Sequence, residues 1–256
     1  MFLLTVLVMS TFVVGLVANQ PLSEDWFGGD GKGAAAASAP MFFFGKPRGN
    51  KPCYPEAAEH NGQQTNGVNQ DNGVHANLNK GCADPGNNRK GNPFPVYYST
   101  NKCDNNHYRI VYSIYFKKDS GHKSDWEWVA VEWERQGQSN NFVRKSIFLS
   151  QHSSNQRIDW NKIQNTADDI NDWESLGQKD KNHAKVYVGA FYHAIWQDRK
   201  TSFDSVINTN SEFRSRDYYF TPEYNDLRPA NVVPKNWDWG KATSSPQVMR
   251  DSICGK

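Results

Sequence analysis

The densest chemistry in this 256-residue chain lies between Asp119 and Trp128, in the run DSGHKSDWEW. Successive side chains of a strand alternate between faces, so Asp125 and Glu127 project together, followed by Val129 and Val131. Trp126, Trp128 and Glu132 take the other face. Asp119 leaves the preceding strand on the far side of the same turn, and His122 sits within that turn. Three carboxylates and one imidazole thus converge on one hairpin end. Carboxylates this close repel, and without a counter-charge at least one is pushed toward its neutral form. A hard divalent cation relieves the repulsion. Oxygen-rich coordination with one imidazole suits calcium, magnesium or manganese. Zinc suits it less, because carboxylates dominate and no second histidine stands at ligand spacing. Two other readings of the same residues stay open. Lys117, Lys118 and Lys123 can neutralise the acids as surface ion pairs, or Asp125 and Glu127 can form a general acid/base pair assisted by His122.

The elements that must position these groups are mostly strands. Residues 109–116 (RIVYSIYF) and 125–134 (DWEWVAVEWE) are β-branched and aromatic and flank a turn at 117–123, a pattern that predicts an antiparallel hairpin. Residues 142–149 and 185–196 read as further strands. Residues 159–176 carry Ile163, Ala167, Ile170 and Trp173 near helical spacing and predict a helix, with Asp168, Asp169, Asp172 and Glu174 on its solvated face. Many strands and few helices predict a mainly β protein, a sandwich with a helical insertion. Residues 49–107 are rich in Asn and Gly, with Asn-Gly pairs at 61–62, 66–67 and 72–73, and read as turns and short strands. Residues 19–48 read as a flexible leader and linker, low in complexity from Gly28 to Pro40, with Met41–Phe44 as an edge strand.

Residues 1–18 are apolar and uncharged, and polar Asn19 and Gln20 follow. This reads as a secretory signal peptide with Ala18 before the cut; the alternative, a membrane anchor, lacks a basic flank. An exported, extracellular chain with Cys53, Cys82, Cys103 and Cys254 predicts two disulfides, with three connectivities open. The net charge of +2 excludes a strongly basic nucleic-acid footprint. His152 and His193 each end a strand-like segment, either as hydrogen-bonded structural residues or as ligand-binding ones. Ser150 and His152 do not form a nucleophile pair, since no Gly-x-Ser-x-Gly elbow accompanies them. Trp126, Trp128, Trp237 and Trp239 read as packing residues, with sugar stacking or a membrane-facing belt as alternatives.

The run Gly121-His122-Lys123-Ser124-Asp125-Trp126-Glu127 resembles the heptapeptide GHRHDWE of the necrosis- and ethylene-inducing peptide 1-like proteins (NLPs), with five of seven positions identical. Residues 112–119 (YSIYFKKD) are similar to the family segment YSWYFPKD. Looser matches fall at Cys53-Tyr54-Pro55 with Cys82, at Ser150-Gln151-His152, at 186–194, and at 238–243 with Cys254. Ser124 stands where the heptapeptide has its second histidine, the turn between Asp119 and His122 is short, and 159–181 looks like a charged insertion. The resemblance spans the region from about residue 48 onward and implies that residues 49–256 form a two-sheet antiparallel β-sandwich with peripheral helices. It implies a divalent cation at Asp119, His122, Asp125 and Glu127, and a Cys53–Cys82 disulfide, which leaves Cys103 for Cys254. It further implies no catalysis. A monomeric cytolysin or virulence effector is expected, acting on the glycosphingolipid headgroups of a plant host membrane. A non-cytolytic glycan- or lipid-binding module and a secreted glycan hydrolase are the alternatives.

Overall fold

A computed structural model of the protein describes residues 19–45, 51–69, 79–119, 121–190, 192–199 and 218–256. The expected signal peptide at 1–18, the Asn-Gly pair at 72–73 and residues 46–48 of the expected linker lie outside them. The strands in chain order are β1 (Leu22–Ser23), β2 (Met41–Phe44), β3 (Glu59–His60), β4 (Gln63–Gln64), β5 (Val96–Lys102), β6 (His107–Lys118) and β7 (Lys123–Arg135). There follow β8 (Asn141–Gln151), β9 (Ser154–Asp159), β10 (Thr166–Ala167), β11 (His183–Val188), β12 (Ile195–Trp196), β13 (Tyr218–Phe220) and β14 (Leu227–Pro229). Among the described residues there are two short α-helices, α1 (Lys32–Ala37) and α2 (Pro246–Ser252).

The protein is a mainly β, two-sheet sandwich. The larger sheet runs β1-β8-β7-β6-β5-β14, with β9 also on β8; the smaller runs β10-β11-β2-β13, with β12 also on β11. Most pairs are antiparallel, but β2 with β11 and β5 with β14 run parallel. The expected central hairpin is β6–β7, in register from His107↔Glu134 to Lys118↔Lys123. Its alternation holds. Val129 and Val131 pack between the sheets with Trp133, Phe142 and Ile147, while Trp126 packs outside with Tyr97, Tyr115 and Trp239. Trp128 packs against Ala130, Phe148 and Met249. The four tryptophans singled out above all take part in packing, Trp237 at the margin of the Trp126 cluster.

Three expectations are corrected. Residues 19–45 are not a linker. Ala34, Ala35 and Ala39 are fully buried, and β2 lies inside the smaller sheet between β11 and β13, not at its edge. Small side chains that read as low complexity serve close packing: Tyr112 Oη donates to the Ala35 carbonyl at 2.8 Å, and a Cβ on Gly31, whose φ is +67°, would collide with Thr100. Residues 159–176 form no α-helix; a 3-10 turn, Trp160–Lys162, and the two-residue β10 take their place. Polar side chains there bind loop backbone instead. Asp169 accepts the Asn171 N–H at 2.8 Å, Asp172 the Ser175 N–H at 3.3 Å, and Asn165 the Gly177 N–H at 2.8 Å. Such local bonds compete with helix formation, while Ile163 and Ala167 supply single buried anchors. Finally, 185–196 is not one strand. It reverses between β11 and β12, closed by the Gly189 N–H to the Ala194 carbonyl at 2.9 Å.

The expected pairing of cysteines is present, Cys53–Cys82 and Cys103–Cys254. The second bond ties the last turn to the end of β5. Beside it, Arg109 donates to the Ile253 carbonyl at 2.6 Å and to Glu132 at 2.8 Å. Glu132 is buried; burial alone would raise its carboxyl, but hydrogen bonds from Arg157, Ser146 and Arg109 hold it down at about 2.

His183 opens β11 and donates from Nδ1 to the Ala39 carbonyl at 2.9 Å, beneath the N-terminal segment. Burial lowers its pKa from the usual 6.5 to about 4. The unfolded chain therefore binds this proton first. The His183 contribution to stability is intact above pH 6.5 and is lost as pH falls toward about 4. Urea melts between pH 7 and pH 4 are expected to lose about 3 kcal/mol more in the native chain than in His183→Gln. Equal losses in the two proteins would exclude His183 as the source.

Candidate metal centre

The β6–β7 hairpin turn builds the site from its own backbone. Asp119 Oδ1 accepts the N–H groups of Gly121 at 2.5 Å and His122 at 2.6 Å, and the Asp119 N–H reaches the His122 carbonyl at 3.0 Å. One carboxylate oxygen thus closes the turn. The other, Oδ2, faces His122 Nε2 at 3.5 Å. His122 Nδ1 lies 2.8 Å from the Ser124 carbonyl. A carbonyl only accepts, so Nδ1 carries a proton and Nε2 is the nitrogen turned toward Asp119. Nε2 is the atom left to ligate a metal, its orientation fixed by the bond on the other nitrogen.

Asp125 and Glu127 stand on one face of β7, as alternation requires, and both are buried. Asp125 Oδ2 accepts from His193 Nδ1 at 2.8 Å. His193 occupies the reversal between β11 and β12 with φ +54°, and its ring stacks on Phe116 at 3.8 Å between centroids. Asp119, His122 and Asp125 each offer one ligand atom, and these three atoms lie within 4.8 Å of one another. Glu127 is not part of that triad. It lines the same cavity and accepts the Ser150 hydroxyl, whose oxygen in turn accepts the Trp128 N–H at 3.0 Å. Burial first, then the charge of Asp125, pushes the Glu127 carboxyl well above the usual carboxylate range; the Ser150 hydroxyl opposes this and Asp119 adds to it.

The cavity holds about 250 Å³ and is also lined by Trp126, His152, Ser153, Tyr192 and residues 241–244. His152 is exposed in the β8–β9 turn and meets the edge of Tyr192 at 5.1 Å. The two histidines thus differ: His152 faces the cavity, while His193 positions Asp125 from behind. Tyr192 and Lys241 were not singled out by residue type, although the segments carrying them had visible resemblance. Ser124 is buried on the opposite face of β7, 3.1 Å from Tyr115 Oη and against Gly67. Ser124, one of the two positions that depart from the heptapeptide, therefore lines no part of the cavity. Of the lysines that offered an alternative counter-charge, Lys117 is taken by Glu56 at 3.1 Å, and Lys118 is buried.

A mainly β sandwich with an acidic, histidine-bearing cavity at one hairpin end defines the class. The model of the family "Necrosis inducing protein (NPP1)" matches residues 48–187, more than half of the chain, and the chain belongs to that family. Similar solved structures include a triple mutant of NLPPya, with TM-score 0.51 and 17% identity, covering 87% of this chain and 86% of that one. NLPPya in complex with mannosamine is another, with TM-score 0.50, the same 17% identity, and coverage of 87% and 86%. No curated protein sequence matches the chain.

The three-atom cluster makes a direct prediction. Calorimetric titration with calcium, magnesium and manganese is expected to detect one site in the native protein and none in Asp125→Asn. His193→Phe keeps the stack on Phe116 but removes the hydrogen bond, and is expected to weaken binding about 10- to 100-fold, as loss of a ligand's outer partner does. Unchanged affinity in both variants, with native circular dichroism, would dismiss the cluster as a metal centre.

Proposed function

We propose that this chain is a secreted, metal-dependent cytolysin that recognises the sugar headgroup of a glycosphingolipid in a plant host membrane. The observation that carries the reading is the convergence of Asp119, His122 and Asp125 within 4.8 Å on the wall of an open polar cavity. The donor set fits a hard divalent cation. Two carboxylates and an imidazole supply charge and lone pairs, and the turn backbone and His193 hold them in place. A bound cation of this kind supplies open positions that accept sugar hydroxyls. Glu127 lines the same cavity and offers a third carboxylate beside the triad. The chain's own rim does the rest: Tyr192 and His152 offer an aromatic wall, and Lys241, Thr243 and Ser244 offer polar contacts to a sugar.

Family membership supports necrosis-inducing activity, and the mannosamine complex of NLPPya supports a sugar as the ligand class. Export agrees with two disulfides and an apolar stretch at residues 1–18. No helix among the described residues is long and apolar enough to cross a membrane. We take the acidic cluster as ligand-binding and not catalytic, because Asp125 and Glu127 are held from behind by His193 and Ser150 on one strand face.

Dye leakage from vesicles tests this. Vesicles with plant glycosphingolipids are expected to leak in calcium, magnesium or manganese, and to stay intact in chelator, without the glycolipid, or with Asp125→Ala. Lipid binding without leakage would make the chain a non-cytolytic binding module. Leakage indifferent to chelator and to Asp125→Ala would remove the metal from the account, and hydrolysis of a glycan panel would make the protein an enzyme.

A further inference from the structure

The hairpin that carries the metal ligands has a gap in its ladder. β6 and β7 pair at Phe116↔Asp125 and at Lys118↔Lys123, but Lys117 and Ser124, which stand between, form no pair. Ser124 has φ +58°, a left-handed conformation that a residue with a Cβ keeps only where its surroundings impose it. The Lys117 carbonyl, released from the ladder, accepts the Val68 N–H at 2.9 Å instead. A segment far away in sequence thus fills the gap.

Gly67 is the residue that lets the segment in. A Cβ there would stand 2.5 Å from the Ser124 nitrogen and 3.0 Å from the Lys117 carbonyl, and it would overlap Ser124 Oγ. The glycine of this Asn-Gly pair therefore serves close approach of two backbones. The rest of the seat is fixed around it. Tyr115 Oη lies 3.1 Å from Ser124 Oγ and donates to the Thr65 carbonyl at 3.0 Å. The Glu56 N–H meets the Tyr115 carbonyl at 3.0 Å, and the Glu56 carboxylate pairs with Lys117 at 3.1 Å. What this seat delivers is the Ser124 carbonyl, 2.8 Å from His122 Nδ1, which leaves His122 Nε2 facing Asp119 at 3.5 Å. Ser124 is buried, so an imidazole at this position, as the resembled heptapeptide has, would need the space that Gly67 and Tyr115 fill.

We propose that Gly67 is a positioning residue of the metal centre: it seats Ser124 in the left-handed conformation, which aims the Ser124 carbonyl at His122 Nδ1 and His122 Nε2 at the ligand cluster. This rests on the reading of Asp119, His122 and Asp125 as metal ligands. It also accounts for the serine in the heptapeptide run. A small residue at 124 and a glycine at 67 are one packing unit, and the pair does through a backbone carbonyl what a larger side chain has no room to do here.

Calorimetric titration with magnesium and manganese, below the melting transition, tests it. Gly67→Ala is expected to bind about 10- to 100-fold more weakly than the native chain, as loss of a ligand's outer partner does. In proton–nitrogen correlation spectra, the His122 Nε2 signal is expected to move when magnesium is added to the native chain. It is expected to stay in place in Gly67→Ala at the same concentration. Adding Ser124→Gly to Gly67→Ala is expected to recover part of the loss, because the overlap with Oγ goes and glycine holds a left-handed φ freely. Ser124→Val leaves Gly67 in place but resists this φ, and is expected to weaken binding likewise; it decides the matter if Gly67→Ala does not fold. Undiminished affinity in a folded Gly67→Ala or in Ser124→Val overturns the role of Gly67. So does the absence of recovery in the double variant, or a native His122 signal indifferent to bound metal. No binding by the native chain overturns the metal centre itself.

Discussion

The hydrogen bond from His193 to Asp125 is the joint on which the candidate site depends. Asp125 belongs to the larger sheet and His193 to a reversal in the smaller one, so the bond spans the sandwich where the two sheets meet. The stack of His193 on Phe116 removes its ring from water and sets its angle. Asp125 is thereby fixed before any ligand arrives. Preorganisation of this kind lowers the ordering cost of binding.

From that joint the electrostatics follow. Acidic groups share a small cavity, and each is managed by a different device. Asp119 gives one oxygen to the turn backbone, Asp125 gives one to His193, and Glu127 leans on Ser150 and is driven toward its neutral form by burial. Each device uses up part of a carboxylate and leaves the rest aimed inward. His122 has its Nδ1 taken by the Ser124 carbonyl and keeps Nε2 on the cavity side, beside carboxylates that repel one another. The contrast with Glu132 is instructive. There, two arginines and a serine satisfy a buried carboxylate completely, and nothing remains to bind.

The same sandwich depends on its N-terminal segment. Tyr112, Arg144 and His183 all spend hydrogen bonds on backbone carbonyls of residues 20–39. Those carbonyls belong to α1, to the turn that follows it and to Gln20 ahead of β1, and small alanines and glycines let the backbone around α1 come close. The segment is thus part of the core, although its side chains are too small to announce it.

Much of the site was legible in the chain itself. A strand period of two fixes Asp125 and Glu127 on one face and Trp126 and Trp128 on the other, because neighbouring side chains in a strand must alternate. A turn of polar residues with Gly121 must bring Asp119 and His122 back beside them. Close spacing of this sort is local, and local geometry can be read from sequence. What lay beyond reach was long-range. That His193 rather than His152 would support Asp125, that Ser124 would turn away from the cavity, that Ile163 and Ala167 would anchor a loop and not a helix, and that residues 19–45 would fill the core all depend on which distant surfaces meet. Only the packing of the two sheets decides that, since burial and hydrogen-bond satisfaction are properties of the closed fold and not of any one segment.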